Sequence, residues 1–135
     1  MASTTQELTP VDAGARRAAA RLDLLARRLG GVRGALVGTL DGRPVVHTLV
    51  GHSPGAVAAM VASSLSLSHR LGDLCGPGTL SEMMVRSSAG YVFLHAIGEA
   101  HVLAVLTDPA INVARLGLEV RDLIESLLPL LPMPQ

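Results

Sequence analysis

PGAVAAMVASSLSLSHRLGDLC, residues Pro54 to Cys75, is the stretch whose reading decides the fold. It lies mostly inside a longer segment, Arg43 to Arg70, that carries no Asp, Glu, Lys or Arg between its ends. Laid out at about 100° per residue from Val57, it is a helix apolar around half its circumference. Val57, Val61, Ser64, Ser68, Leu71 and Cys75 share one stripe, expected against the protein's own sheet. Met60, Leu67 and Leu74 recur every seven residues on a flank roughly 60° to 100° away. Ala59, Ala62, Ser66, His69, Arg70 and Asp73 take the opposite side. Covering a sheet needs only the first stripe. The flank needs another apolar surface, and a chain of 135 residues has little left to offer it. It reads as a protein–protein contact.

Outward from this helix the layout follows from punctuation. Val11 to Leu29 is amphipathic, with Ala15, Ala18, Leu22, Leu25 and Leu29 on one face, and Gly30-Gly31 ends it. Val32 to Leu40 predicts a strand, Asp41-Gly42 a two-residue hairpin turn, and Arg43 to Val50 the return strand. Pro44 cannot donate to a ladder, which puts that strand at the sheet edge. Beyond the central helix, Gly76-Pro77-Gly78 is a stop, and strands follow at Leu80 to Arg86, Tyr91 to Ile97 and His101 to Thr107. Asp108-Pro109 predicts the start of a last helix, with Val113, Leu116, Val120, Leu123, Ile124 and Leu127 as its core face. The resulting order is α-β-β-α-β-β-β-α. It implies an α+β, profilin-like fold: a five-stranded antiparallel sheet with the central helix on one face and the terminal helices on the other. Residues 1–10 are expected as a flexible segment, 11–128 as the domain, and 129–135 as a Pro-rich tail.

Composition removes several classes of function. The aromatic residues are Tyr91 and Phe93, with no Trp, which leaves no stacking platform for single-stranded nucleic acid. All 11 basic residues are Arg, so Schiff-base chemistry and a phosphate-loop lysine are excluded. Net charge is zero, which argues against a nucleic-acid partner. The single Cys75 fits a reducing compartment. The polar start lacks the pattern of a signal peptide, and no apolar run reaches about 18 residues. A cytoplasmic protein is expected, with membrane association only indirect.

Gly51-His52-Ser53-Pro54-Gly55 matches the nucleophile-elbow pattern G-x-S-x-G and stands between a strand and a helix. That chemistry needs the backbone N–H of the residue after the serine. Here this residue is Pro54, which has none. Ser53 reads instead as a helix cap with Pro54 at the first position. His47, His52, His69, His95 and His101 show no metal-ligand spacing, although His47 and His95, on different strands, could approach each other. No cofactor is expected. Arg16, Arg17, Arg21, Arg27, Arg28 and Arg33 read as a solvated basic face, and Arg115/Glu119 and Arg121/Glu125 as i, i+4 ion pairs on an exposed one. Glu82, Met84 and Arg86 alternate with Ser81, Met83 and Val85 on the third strand, the candidate second edge. An edge strand beside a helix with a spare apolar flank is a recipe for a two-fold dimer.

The segments Gly34-Ala35-Leu36-Val37 and Leu40-Asp41-Gly42-Arg43-Pro44-Val45-Val46 resemble the opening hairpin of the roadblock/dynein light-chain (roadblock/LC7) domains. The long Ala-, Met-, Ser- and Leu-rich helix ending Leu71-Gly72 is similar too. So are Gly90-Tyr91-Val92-Phe93-Leu94, Val102 to Thr107, and the helix after Asn112. The resemblance covers roughly residues 13 to 127 and looks like a stand-alone actinobacterial member. It implies a dimer through the central helix and the third strand, with Met60, Ser63, Leu67, Leu74, Met83, Met84 and Val85 at the interface. It also implies a small Ras-like GTPase as partner, faced by Ala62, Ser66, His69, Arg70 and Asp73. The function it implies is a non-catalytic regulator or scaffold of that GTPase. The alternative is a structural adaptor similar to motor-complex light chains, without effect on GTP turnover.

Overall fold

The computed structural model describes residues 10–132 apart from 77 and 79. Residues 1–9 of the expected flexible segment, Pro77 of the helix stop, and the last three residues of the expected tail lie outside these. The elements are α1 (Pro10–Arg28), β1 (Val32–Thr39), β2 (Pro44–His47), α2 (Pro54–Cys75), β3 (Glu82–Ser87), β4 (Gly90–Ile97), β5 (His101–Thr107) and α3 (Val113–Leu127). The five strands form one antiparallel sheet in the order β2-β1-β5-β4-β3. Pro44 therefore stands on an edge strand, as its missing donor requires. The central strands β1 and β5 are covered on both faces, which explains their unbroken apolar runs: Ala35, Leu36, Val37, Val102, Leu103 and Ala104 are all fully buried.

Two cores result. On one face α1 and α3 bring Leu22, Leu25, Leu116, Val120 and Leu127 onto Ala35, Val37, Leu103 and Val105. On the other, α2 brings Val61 and Leu65 onto Leu94, Val102 and Ala104, and Ala58 onto Leu36. The layered arrangement expected from the sequence is present.

Four local expectations are corrected. The β1–β2 turn is longer than two residues: Thr39 N donates to Arg43 O at 2.8 Å and Gly42 N to Thr39 O at 3.1 Å. Leu40-Asp41-Gly42 thus forms a three-residue loop closed by a left-handed glycine, φ +94°. Asp41 accepts from the Thr39 hydroxyl and stands 3.4 Å from Arg43. The Thr39 hydrogen bond and the Arg43 charge hold its carboxyl below the usual carboxylate range. Second, β2 ends at His47, whose Nδ1 accepts from Leu49 N at 3.1 Å and turns the chain. Third, Asp108 does not start the last helix. Its Oδ1 accepts from Ala110 N at 3.1 Å in a separate turn, and Asn112 is the cap, accepting from Arg115 N at 3.0 Å. Fourth, Glu119 pairs with Arg28 of α1 at 3.9 Å, and Arg115 Nη2 donates to Arg28 O at 3.3 Å. These residues tie α3 to the C-terminus of α1 in place of the Arg115/Glu119 pair expected along one helix. The tail begins with a 3-10 turn over Leu128–Leu130, and Leu131 is buried in the α1/α3 core.

Candidate functional site

Ser53 caps α2, accepting from Ala56 N at 3.3 Å, and Pro54 follows in the first turn. The hydroxyl of the elbow-like motif is thereby engaged in ending a helix, and the residue after it offers no N–H for an oxyanion. His47 on β2 and His95 on β4 are separated by β1 and β5, about 14 Å at strand spacing, so they do not meet. Among the described residues no three His, Cys, Asp or Glu side chains are placed to hold a metal. None of their helices is long and apolar enough to cross a membrane.

α2 sits on the sheet rotated from the orientation expected. Its buried residues are Ala58, Val61, Ala62 and Leu65, with Val57, Ser64, Ser68 and Gly72 half-buried. The centre of that face lies roughly 60° to 70° around the helix from Val57. Small residues on both partners cause the rotation. A side chain at Gly38 would meet the Ala58 Cβ at 3.6 Å, and one at Gly42 would meet Ala59 Cα at 3.3 Å and Ala62 Cβ at 3.9 Å. The hairpin glycines and the helix alanines let the backbones approach, and packing follows closest approach rather than bulk. Ala62 is therefore buried against the hairpin and cannot face a partner. Leu71 and Cys75, expected against the sheet, are exposed. Leu65 is a core residue that lies outside the stripe expected to face the sheet. The signal for both was present as Ala58 and Ala62 one turn apart, opposite Gly38 and Gly42.

The rotation turns the apolar flank into an outer ridge. Met60 is 67% exposed, Leu67 68%, Leu71 61% and Leu74 85%. Ser63, in line with them, is exposed and donates to Ala59 O at 2.9 Å. The ridge tilts toward β3, since Ser68 on that side of the helix reaches Met83 Sδ at 3.0 Å. β3 pairs with β4 alone, so its outer edge carries no partner strand among the described residues. Met84 (49%) and Val85 (42%) are exposed, whereas Met83 is half-buried under α2. Ser66, His69, Arg70 and Asp73 are exposed on the other side of the ridge, with His69 Nε2 4.0 Å from Asp73. An apolar helix crest thus lies beside an open strand edge, with a small polar strip along the helix. Exposed apolar surface contiguous over several turns marks a contact site.

The family model of the Roadblock/LC7 domain matches residues 18–107. No curated protein matches the chain in sequence. The Roadblock/LC7 domain from Streptomyces avermitilis is similar in structure, at 25% identity over 82% of this chain and 94% of that one, with a TM-score of 0.78. MglB in a tetrameric arrangement is 21% identical, covers 96% of either chain and has a TM-score of 0.77. Profilin IA of Acanthamoeba castellanii is 15% identical over 82% of this chain and 96% of that one, with a TM-score of 0.57. The last two likenesses are of fold.

Proposed function

The chain belongs to the Roadblock/LC7 domain family, and on that premise we propose that it acts as a cytoplasmic, homodimeric scaffold or regulator of a small Ras-like GTPase, with no chemistry of its own. The observation that carries the reading is the outer ridge of α2, Met60, Leu67, Leu71 and Leu74, at 61% to 85% exposure beside an unpaired β3. Two copies meeting about a two-fold axis cover both features at once: ridge against ridge, and β3 against β3 in one continuous sheet. Met60, Ser63, Leu67, Leu71, Leu74, Met84 and Val85 form that interface, with Met83 supporting the strand from beneath α2. The tetrameric arrangement of MglB, a protein of the same fold, supports self-association of this architecture. Ser66, His69, Arg70 and Asp73 remain outside the ridge and form the strip for the GTPase.

The test separates the two parts. Light scattering of the purified chain reads the mass, and a dimer is expected at micromolar concentration. The same protein is then mixed with a small Ras-like GTPase of the same organism, loaded with GDP or with a non-hydrolysable GTP analogue. A complex in one nucleotide state is expected, weakened by Arg70→Glu. Absence of a complex in both states would remove the GTPase from the proposal and leave the adaptor reading.

A further inference from the structure

On the α2 side the sheet is left open at one end. Register places Val92 of β4 opposite Leu106 of β5, and Leu106 opposite Gly34 of β1, in one row across the sheet. α2 first reaches the core at Val57, beside Leu36 and Leu106, and then runs away over Leu94, Val102 and Ala104. Val92 and Leu106 therefore stay half-buried. The loop from β2 to α2 folds back toward this end: Leu49 is buried, and a side chain at Gly34 would meet its Cδ2 at 3.2 Å. Loop and strand ends enclose a cavity of about 310 Å³, a volume at the small end of those that hold small molecules. Leu49, Val92 and Leu106 supply its apolar surface, and Val50, 85% exposed, forms an uncovered wall.

Arg33 and His52 are the basic side chains of this cavity. Strict alternation from Ala35, which lies in the α1/α3 core, would send Arg33 to that same face. An irregularity in the β1–β5 register between Val32 and Gly34 breaks the alternation. Val32 packs against the α1/α3 core in its stead, and Arg33 lines the cavity. Bulges of this kind re-aim single side chains beside functional sites. His52 follows Gly51, whose left-handed backbone, φ +78°, turns the loop. Neither Arg33 nor His52 makes an ion pair or a side-chain hydrogen bond among the described residues. No Asp or Glu lines the cavity, and Asp108, just after β5, accepts from Ala110 N. An anion is the complementary ligand. Arg33 is the one permanent charge of the lining, so the match is to a single negative charge, and its planar fork suits a carboxylate. The His52 imidazole supplies a further donor.

We propose that this cavity binds a small monocarboxylate with a compact apolar body. The carboxylate lies on Arg33 and His52, and the body lies on Leu49, Val92 and Leu106 against Val50. No residue of the α2 ridge or of its polar strip lines the cavity. The site is therefore independent of whether the chain dimerises or binds a GTPase.

The full chain, labelled with nitrogen-15, is titrated with cyclohexylacetate and followed by its amide chemical shifts. Cyclohexylacetamide keeps the apolar body without the charge, and acetate keeps the charge without the body. Saturable shifts are expected for cyclohexylacetate, with a Kd at or below about 1 mM, and they should centre on Arg33, Val50, His52, Val92 and Leu106. The amide should bind at least about tenfold more weakly, and acetate should not saturate over the same range. Arg33→Gln and Val50→Asp each change an exposed side chain, so the melting temperature should stay within about 2 °C. Each should weaken cyclohexylacetate by about tenfold or more, the first by removing the cation and the second by setting a carboxylate beside the bound anion. Arg70→Gln, on the α2 strip, should leave the Kd within about twofold. A response that stays linear, equal affinity for acid and amide, shifts centred elsewhere, or an unchanged Kd in Arg33→Gln or Val50→Asp would each overturn the proposal.

Discussion

Leu67→Glu tests the ridge most directly. Leu67 is 68% exposed at the middle of the line from Met60 to Leu74, so the isolated domain gains little from it. Glu is also a good helix former, and the monomer should fold with a melting temperature near that of the wild type. In a ridge-to-ridge dimer the same side chain is buried in both copies. Completing the burial of a Leu this exposed contributes about 1 to 2 kcal/mol per copy, or about 2 to 4 kcal/mol per dimer. An unpaired carboxylate adds its desolvation cost in the same direction. The dimer Kd should therefore rise by about 30-fold to 1000-fold. Light scattering or sedimentation over a concentration series from about ten times below to ten times above the wild-type Kd reads the change. Ser66→Glu, one residue away on the polar strip, should leave the Kd within about twofold. An unchanged Kd in Leu67→Glu would refute the placement of copies across the α2 crest, whatever the oligomer proved to be. A lowered melting temperature with unchanged mass would show that Leu67 is packed within the monomer.

Other perturbations test the fold that carries the ridge. Gly90→Ala would place a Cβ 1.9 Å from Thr107 O at φ +149°, so it should cost about 3 kcal/mol or more and lower the melting temperature by about 10 °C; a change under about 2 °C would contradict the close β4–β5 approach. Asn112→Ala removes the α3 cap at Arg115 N and should cost about 1 kcal/mol in urea unfolding, whereas Asp108→Ala should leave α3 helicity unchanged. His101 is buried on β5, and desolvation pushes its pKa below 6.5. Below about pH 6.5 the unfolded chain takes up a proton that the folded one refuses, so stability falls as pH drops through that value and toward the lower folded pKa. His101→Gln should flatten the difference in unfolding free energy between about pH 7.5 and 5.5; an identical slope in both proteins would remove His101 as its source.

Much of the fold was legible because local chemistry and topology agree. Pro44 marks an edge strand, the run from Ala35 to Val37 marks a strand covered on both faces, and Ser53-Pro54 marks a helix start. Turn chemistry is ambiguous in the sequence where two solutions compete. Asp108 and Asn112 are both residues that favour helix caps, but Asp108 closes the turn at Ala110 N, and Asn112, accepting from Arg115 N, takes the helix. Asp41-Gly42 suits a two-residue or a three-residue loop, and the Thr39 hydroxyl, which takes the Arg43 N–H at 3.0 Å, favours the longer one. Arg115 and Glu119 are spaced to pair along α3 and reach α1 instead, because α1 ends beside them.

The candidate site shows where a sequence stops constraining. Helical spacing fixes which residues share a face, and it placed Met60, Leu67 and Leu74 on one line. It does not fix which angle points down. That angle is set by the surface the helix meets, and here the hairpin glycines at 38 and 42 draw in Ala58 and Ala62 in preference to the larger Val57 and Leu71. The difference matters for function. A flank beside the sheet could be covered by a loop or a strand from the same side. A crest that also tilts toward an open β3 edge presents two surfaces at an angle to each other, and an occupant must satisfy apolar side chains on one and backbone donors and acceptors on the other. A second copy related by a two-fold axis brings an identical crest and an identical edge in the same relative orientation. That geometric match, rather than apolarity alone, makes self-association the simplest way for this chain to cover the ridge.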